Sequence, residues 1–203
     1  AQSESFLGHK WCNYWFHVMH LNDESGKMSK SKGEFLTVSL LEKKGYDPMA
    51  YRLFCLQSHY RKNLVFTWEN LDNAVVAYNK IVAKIAAMEN DGEVDQEAFN
   101  KLKDRFVGAL NGDLNTSVAV TAVYDVLKAK TNDATKLAAL ADFDRVLSLN
   151  LLEAAEVIRK KEAEEAAASA DPEIDALVAA RTAAKKAKNF AEADRIRDEL
   201  KAK

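Results

Sequence analysis

The chain has 203 residues, 48% hydrophobic and 30% charged, with a formal net charge of -2. That length suffices for one domain of ordinary size or two small ones. The near-neutral balance excludes a globally basic nucleic-acid binder, so any such role needs a local patch. Gly (7) and Pro (2) are scarce, and Ala, Glu, Lys and Leu dominate the second half, a composition that favours helix. A mainly α fold is expected. No apolar run reaches transmembrane length and no basic-then-apolar leader opens the chain, so a cytoplasmic protein without membrane contact is expected. Cys12 and Cys55 stand in no metal-binding spacing. A disulfide between them is open, but two reduced thiols are the expected state. The first residue is Ala rather than Met, and the beginning reads as cut from something longer.

Residues 1 to about 25 are rich in aromatics: Phe6, Trp11, Tyr14, Trp15 and Phe16, with His9, His17 and His20 among them. Such a cluster is usually core, and its period leaves helix and strand undecided. A basic loop follows from Gly26 to Gly33. "FLTVSLLEKKGYDP" then reads as a short helix, with Thr37 as N-cap, Lys43 and Lys44 at the negative end and Gly45 as the stop. Asp47-Pro48 opens the next helix, with Pro48 at its first position and Ala50, Leu53, Phe54 and Leu56 on its apolar side. After "HYRKNLVFTWEN", Thr67 and Asn70 precede a long helix over about 68–89. Its Leu71, Ala74, Val75, Tyr78, Ile81, Val82, Ile85 and Met88 form one apolar face.

Three more amphipathic helices are predicted near 95–110, 114–130 and 133–149. Their faces include Phe99, Leu102, Phe106 and Leu110, then Val118, Ala122, Val123 and Val126, then Leu137, Leu140, Val146 and Leu147. Amphipathic helices with short connections imply a bundle. Residues 151–170 lose their apolar stripe after Ile158 and read as a fading helix that becomes a polar linker. Asp171-Pro172 opens a final helical hairpin over 171–203, too small to hold a large core alone.

The chemistry-bearing stretch is "GKMSKSKGEF". Lysines between glycines and serines suit a polyphosphate, because an ammonium is a compact charge with three donors. Beside a transferring phosphoryl group it offsets charge that builds in the transition state. A solvated basic turn is the plain alternative.

The string "KMSKS", Lys27 to Ser31, is identical to the signature loop of class I aminoacyl-tRNA synthetases. Further blocks resemble the cysteinyl-tRNA synthetase family, in order along the chain: "AQSES", "YWFHVMHL", "KGYDPMAYRLFCLQSHYRKNLVFTWENLDNA", "LNGDLNTSVAV" and "FAEADRIRDEL". The resemblance implies a mainly α piece of such an enzyme. Residues 1–66 would be the end of the catalytic domain with the KMSKS loop and a stem-contact fold. Residues 67–150 would be an anticodon-binding helical bundle, followed by the linker and the small C-terminal hairpin. The family's Rossmann half, with its HIGH-type motif and zinc ligands, would lie upstream, so the fragment alone is expected to be inactive and to hold no metal itself.

By resemblance, Lys27, Met28, Ser29, Lys30 and Ser31 bind the phosphates of ATP (with Mg), and Lys27, Lys30 and His17 serve catalysis. For His17 a ring stacked among aromatics is the equal alternative. Lys32 and Glu34 stand where the family commonly has Leu and Asn. Arg52, Arg61 and Lys62 in the stem-contact region, with His59 and Tyr60 beside them, are candidates to meet the tRNA backbone. Arg181, Lys185, Lys186, Lys188, Arg195 and Arg197 are candidates in the hairpin. Phosphate contacts of this kind supply affinity rather than sequence reading. Phe190 is read as core. The implied partners are cysteine tRNA, ATP and cysteine, in a monomeric enzyme. A free-standing, non-catalytic tRNA-binding module is the alternative, and a plain helical scaffold would have no need for the KMSKS string.

Overall fold

A computed structural model of the chain describes residues 2–23, 26–27, 37–90, 92–169, 172–186, 189, 192, 194–197 and 199. The fold is mainly helical, and the caps expected from sequence are in place. A short helix α1 (Gln2–Leu7) opens the chain, and strands β1 (Leu21–Asp23) and β2 (Gly26–Lys27) follow. Helix α2 (Val38–Lys43) starts where the Thr37 side chain accepts from the Leu40 N–H at 3.1 Å, satisfying one of the donors that a first turn leaves unpaired. Gly45, at φ +83°, turns the chain in the left-handed region beyond it. Helix α3 (Pro48–Leu56) is capped by Asp47, whose carboxylate accepts from the Met49 N–H at 2.7 Å. Strand β3 (Leu64–Val65) leads to Thr67, which caps α4 (Trp68–Ala86) by accepting from the Asn70 N–H at 3.0 Å.

Helices α5 (Gln96–Asn111), α6 (Thr116–Lys128) and α7 (Asp133–Leu147) complete a bundle with α4. Its core is apolar and close to fully shielded: Leu71, Ile81 and Ile85 of α4, Val123 and Val126 of α6, and Leu140, Phe143 and Leu147 of α7. Phe106 of α5 stacks on Phe143, with ring centroids 4.1 Å apart and planes 7° from parallel.

Two residues expected on the apolar faces lie outside this core. Val118 is 48% exposed and Val146 is 53% exposed. On α6 the buried stripe runs instead through Ala119, Val120, Ala122, Val123 and Val126. On α7 the buried stripe runs through Leu137, Ala139, Leu140, Phe143 and Leu147 and passes Val146 by.

Helix α8 (Leu151–Ser169) is continuous where a fading helix and linker were expected. Its first turn is fixed by Asp144, whose carboxylate accepts from the Leu149 and Leu151 N–H groups at 2.6 and 2.9 Å. The intervening Ser148 and Asn150 adopt positive φ. Beyond the anchored Leu151 and Ala155, helix-forming Ala, Glu and Lys sustain the helix without an apolar stripe. The chain divides into two compact units, residues 1–156 and 157–203. In the second, α9 (Pro172–Lys186) is followed by a capped turn in which Asn189 accepts from the Glu192 N–H at 3.3 Å. Ile196 is buried. Phe190, expected in this core, lies outside the described residues.

The aromatic cluster near the start is not core. Phe6 is 89% exposed, Tyr14 91% and Trp15 64%. Residues 14–20 form neither helix nor strand and their side chains are exposed, although the Phe16 ring meets that of Tyr60.

Candidate functional site

The KMSKS string begins at Lys27, the last residue of β2. Strand β1 is the centre of a small sheet ordered β2-β1-β3. It pairs antiparallel with β2, Asn22 opposite Lys27, and parallel with β3, Leu21 opposite Leu64. The Phe66 N–H extends the ladder by donating to the Asn22 carbonyl at 2.7 Å. Met28, Ser29, Lys30 and Ser31, with Lys32 and Glu34, lie outside the described residues. The chain is described again at Thr37.

Both flanks of that stretch meet one small core. Leu41 of α2, Phe54 of α3, Phe66 ahead of α4, and Leu71 and Ala74 of α4 form it. Leu21 of β1, Tyr46, Tyr51, Cys55 and Leu64 pack against it. One side of the phosphate-loop candidate is thus tied down through Leu21 and the other through Leu41. Burial holds the Tyr51 hydroxyl up at about 12 and raises the neighbouring Cys55 thiol. Both stay protonated at neutral pH, so Cys55 is a packing residue rather than a nucleophile. Cys12 and Cys55 are free thiols.

His17 is exposed, with its ring stacked on Trp15 at 6.2 Å between centroids. Trp15 meets Trp11 edge-on at 5.3 Å.

The loop joining α3 to β3 carries Ser58, His59, Tyr60, Arg61 and Lys62. It docks on the α5–α6 turn. The Tyr60 hydroxyl donates to one Asp113 carboxylate oxygen at 2.6 Å. Arg61 Nε donates to the other at 2.6 Å. His59 Nε2 lies 3.1 Å from the Asp113 carbonyl oxygen, and the Thr116 hydroxyl donates to the Ser58 carbonyl at 3.2 Å. The Arg61 guanidinium, then the Tyr60 hydroxyl, hold the Asp113 carboxyl below the usual carboxylate range. Asp113 sits at φ +63°, a conformation that Asp tolerates better than most residues. Sequence analysis assigned Asp113 no such role. The visible signal was that "SHYR" and "NGDLNT" both stand inside the blocks that carry the family resemblance.

The other RNA candidates differ in how they are held. Arg52 donates from Nε to the Leu147 carbonyl at 2.6 Å, capping the end of α7. Lys62 is exposed and lines an open cleft with Val18, Met19, Cys55, His59 and Leu64. Lys185 and Lys186 are exposed in the last turn of α9. Arg181 is half-buried on α9, and its Nε is shielded without a hydrogen-bond partner among the described residues. Arg195 pairs with Glu192 at 2.7 Å, and Arg197 with Asp194 at 2.9 Å. Lys188 lies outside the described residues. Among the described residues, no group of three or more His, Cys, Asp or Glu side chains is placed to hold a metal ion. None of their helices is long and apolar enough to cross a membrane.

Residues 1–76 match the family model described as the catalytic domain of class I (C) tRNA synthetases. The chain is 45% identical over 197 residues to the cysteine–tRNA ligase of Novosphingobium aromaticivorans, covering 93% of this chain and 39% of that protein. It is 36% identical over 203 residues to cysteine–tRNA ligase 1 of Burkholderia lata, covering 100% of this chain and 40% of that protein. This chain belongs to the cysteinyl-tRNA synthetase family. It spans about two fifths of the length of these relatives. With respect to a cysteinyl-tRNA synthetase, the β1–β2 hairpin and the α2–α3 core fall within the stretch matched to the catalytic domain, while α5 to α9 lie beyond it.

Proposed function

We propose that this chain contributes an ATP-phosphate loop and a tRNA-binding helical surface to the ATP-dependent attachment of cysteine to its tRNA. The observation that carries this reading is the KMSKS string, beginning on a hairpin strand and flanked on both sides by anchors in one core. Such anchoring suits a loop that must hold charge in place while phosphoryl oxygens gain it. Lys27 and Lys30 would supply that charge, and Met28, Ser29 and Ser31 would complete the phosphate contact. His17 would face the same substrate from the exposed aromatic segment. ATP would enter with Mg. Zinc, implied for the whole enzyme by resemblance, finds no ligand set among the described residues.

On the RNA side, Lys62, Lys185, Lys186, Lys188 and Arg181 would meet phosphates. Arg61, Arg195 and Arg197 already pair with carboxylates, so contact there would exchange a carboxylate for a phosphate. The complete protein is read as a cytoplasmic monomer. A second reading, a non-catalytic tRNA-binding module, draws on the buried apolar residues that α4, α6 and α7 bring together.

A chimera separates the two readings. The chain replaces the stretch it aligns with in the Novosphingobium aromaticivorans relative, and cysteine-dependent ATP–pyrophosphate exchange is measured. The synthetase reading predicts exchange well above background, falling about 100-fold or more on Lys30→Ala, the scale of losing one charge-stabilising group. A folded chimera whose exchange is unaffected by Lys30→Ala would overturn the phosphate-loop role.

A further inference from the structure

Tyr60 joins two parts of the molecule that the sequence keeps far apart. Its hydroxyl is held by Asp113 on the α5–α6 turn of the bundle. Its carbonyl accepts from the Met19 N–H at 2.9 Å, and its ring lies against Phe16 with centroids 4.4 Å apart. Met19 is two residues ahead of β1, and β1 carries β2, where the KMSKS string begins. Little else in the described structure holds residues 14–20: the segment has no regular secondary structure, and most of its side chains face solvent.

We propose that Asp113 is a positioning residue for the phosphate loop. Through Tyr60 it sets where the strand segment 19–23 lies, and hence the hairpin on which Lys27 sits. The proposal rests on the phosphate-loop reading for its functional meaning. Asp113 takes no part in the chemistry. Its carboxylate gathers Tyr60 and Arg61 together, while His59 and Thr116 fasten the same loop through backbone carbonyls. The whole α3–β3 loop is thereby aligned against the bundle, with the Tyr60 carbonyl presented towards Met19. A shift of the α5–α6 turn would carry the Tyr60 carbonyl with it, and so the strand segment at the base of the loop.

Amide hydrogen exchange on the full chain tests this without nucleotide, so its result does not depend on whether the loop binds ATP. Asp113→Asn keeps a residue that tolerates positive φ but removes the charge. Tyr60→Phe removes only the hydroxyl. Asp125→Asn, which breaks the Arg105–Asp125 pair at 3.1 Å elsewhere in the bundle, is the control. Exchange at the Met19 and Phe66 amides should rise about threefold or more in the first two variants, with the α4 amides of Tyr78 and Val82 unchanged, as expected for a local opening. The control should leave all four unchanged. Unchanged Met19 and Phe66 exchange would overturn the proposal. So would an equal rise at all four amides, which would make Asp113 a general stabiliser only.

Discussion

Arg52 places its Nε 2.6 Å from the Leu147 carbonyl, at a helix end where carbonyls lack partners within the helix. That contact ties α3 to the end of α7. Arg52→Ala should therefore lower unfolding stability by about 1 kcal/mol, the scale of one such hydrogen bond, read as a lower urea midpoint with an unchanged slope. Its tRNA affinity should change little. A variant with full stability and weakened tRNA binding would instead return Arg52 to the RNA surface. The sequence marks Arg52 only as a cation near other cations, and the backbone carbonyl it serves is 95 residues away. Asp113 was hidden for the same reason. By contrast, Thr37, Asp47 and Thr67 were legible as caps, because a cap acts on amides two or three residues along.

Among the elements, the turn from α4 to α5 shows how the bundle fixes its own loops. Asn132 caps α7 through the Thr135 N–H at 3.0 Å and donates from its amide to the Glu93 carbonyl at 2.7 Å. The Thr135 hydroxyl, fully buried, accepts from the Asp95 N–H at 2.8 Å. Asp95 is itself the cap of α5. Thr135→Val keeps the shape but leaves a partly buried amide without its partner. It should cost about 2 kcal/mol, measured by chemical denaturation, and a loss below a few tenths would contradict this account of the turn. Helix positions in the bundle were legible because their apolar residues recur every three or four positions. The strands were not. Each is two or three residues long, too short for an alternation to register. The exposed aromatic segment misled for a different reason. Aromatic content predicts burial only when enough structure packs over the rings, and here Tyr14, Trp15 and Phe16 stay largely exposed even with Tyr60 against Phe16.

For the whole molecule, the central claim is that the bundle and the basic helices bind a particular tRNA in support of a phosphate loop. Only local patches can do this in a chain of net charge -2. Backbone contacts by Lys62, Lys185 and Lys186 alone would give binding that weakens steeply with salt and does not distinguish one tRNA from another. Recognition of unpaired bases would add a component that persists. The decisive measurement is fluorescence anisotropy of the chain with cysteine tRNA and with a non-cognate tRNA, at two salt concentrations. The account predicts a preference for cysteine tRNA that survives the higher salt. Equal binding of both tRNAs, or no binding of either, would contradict it.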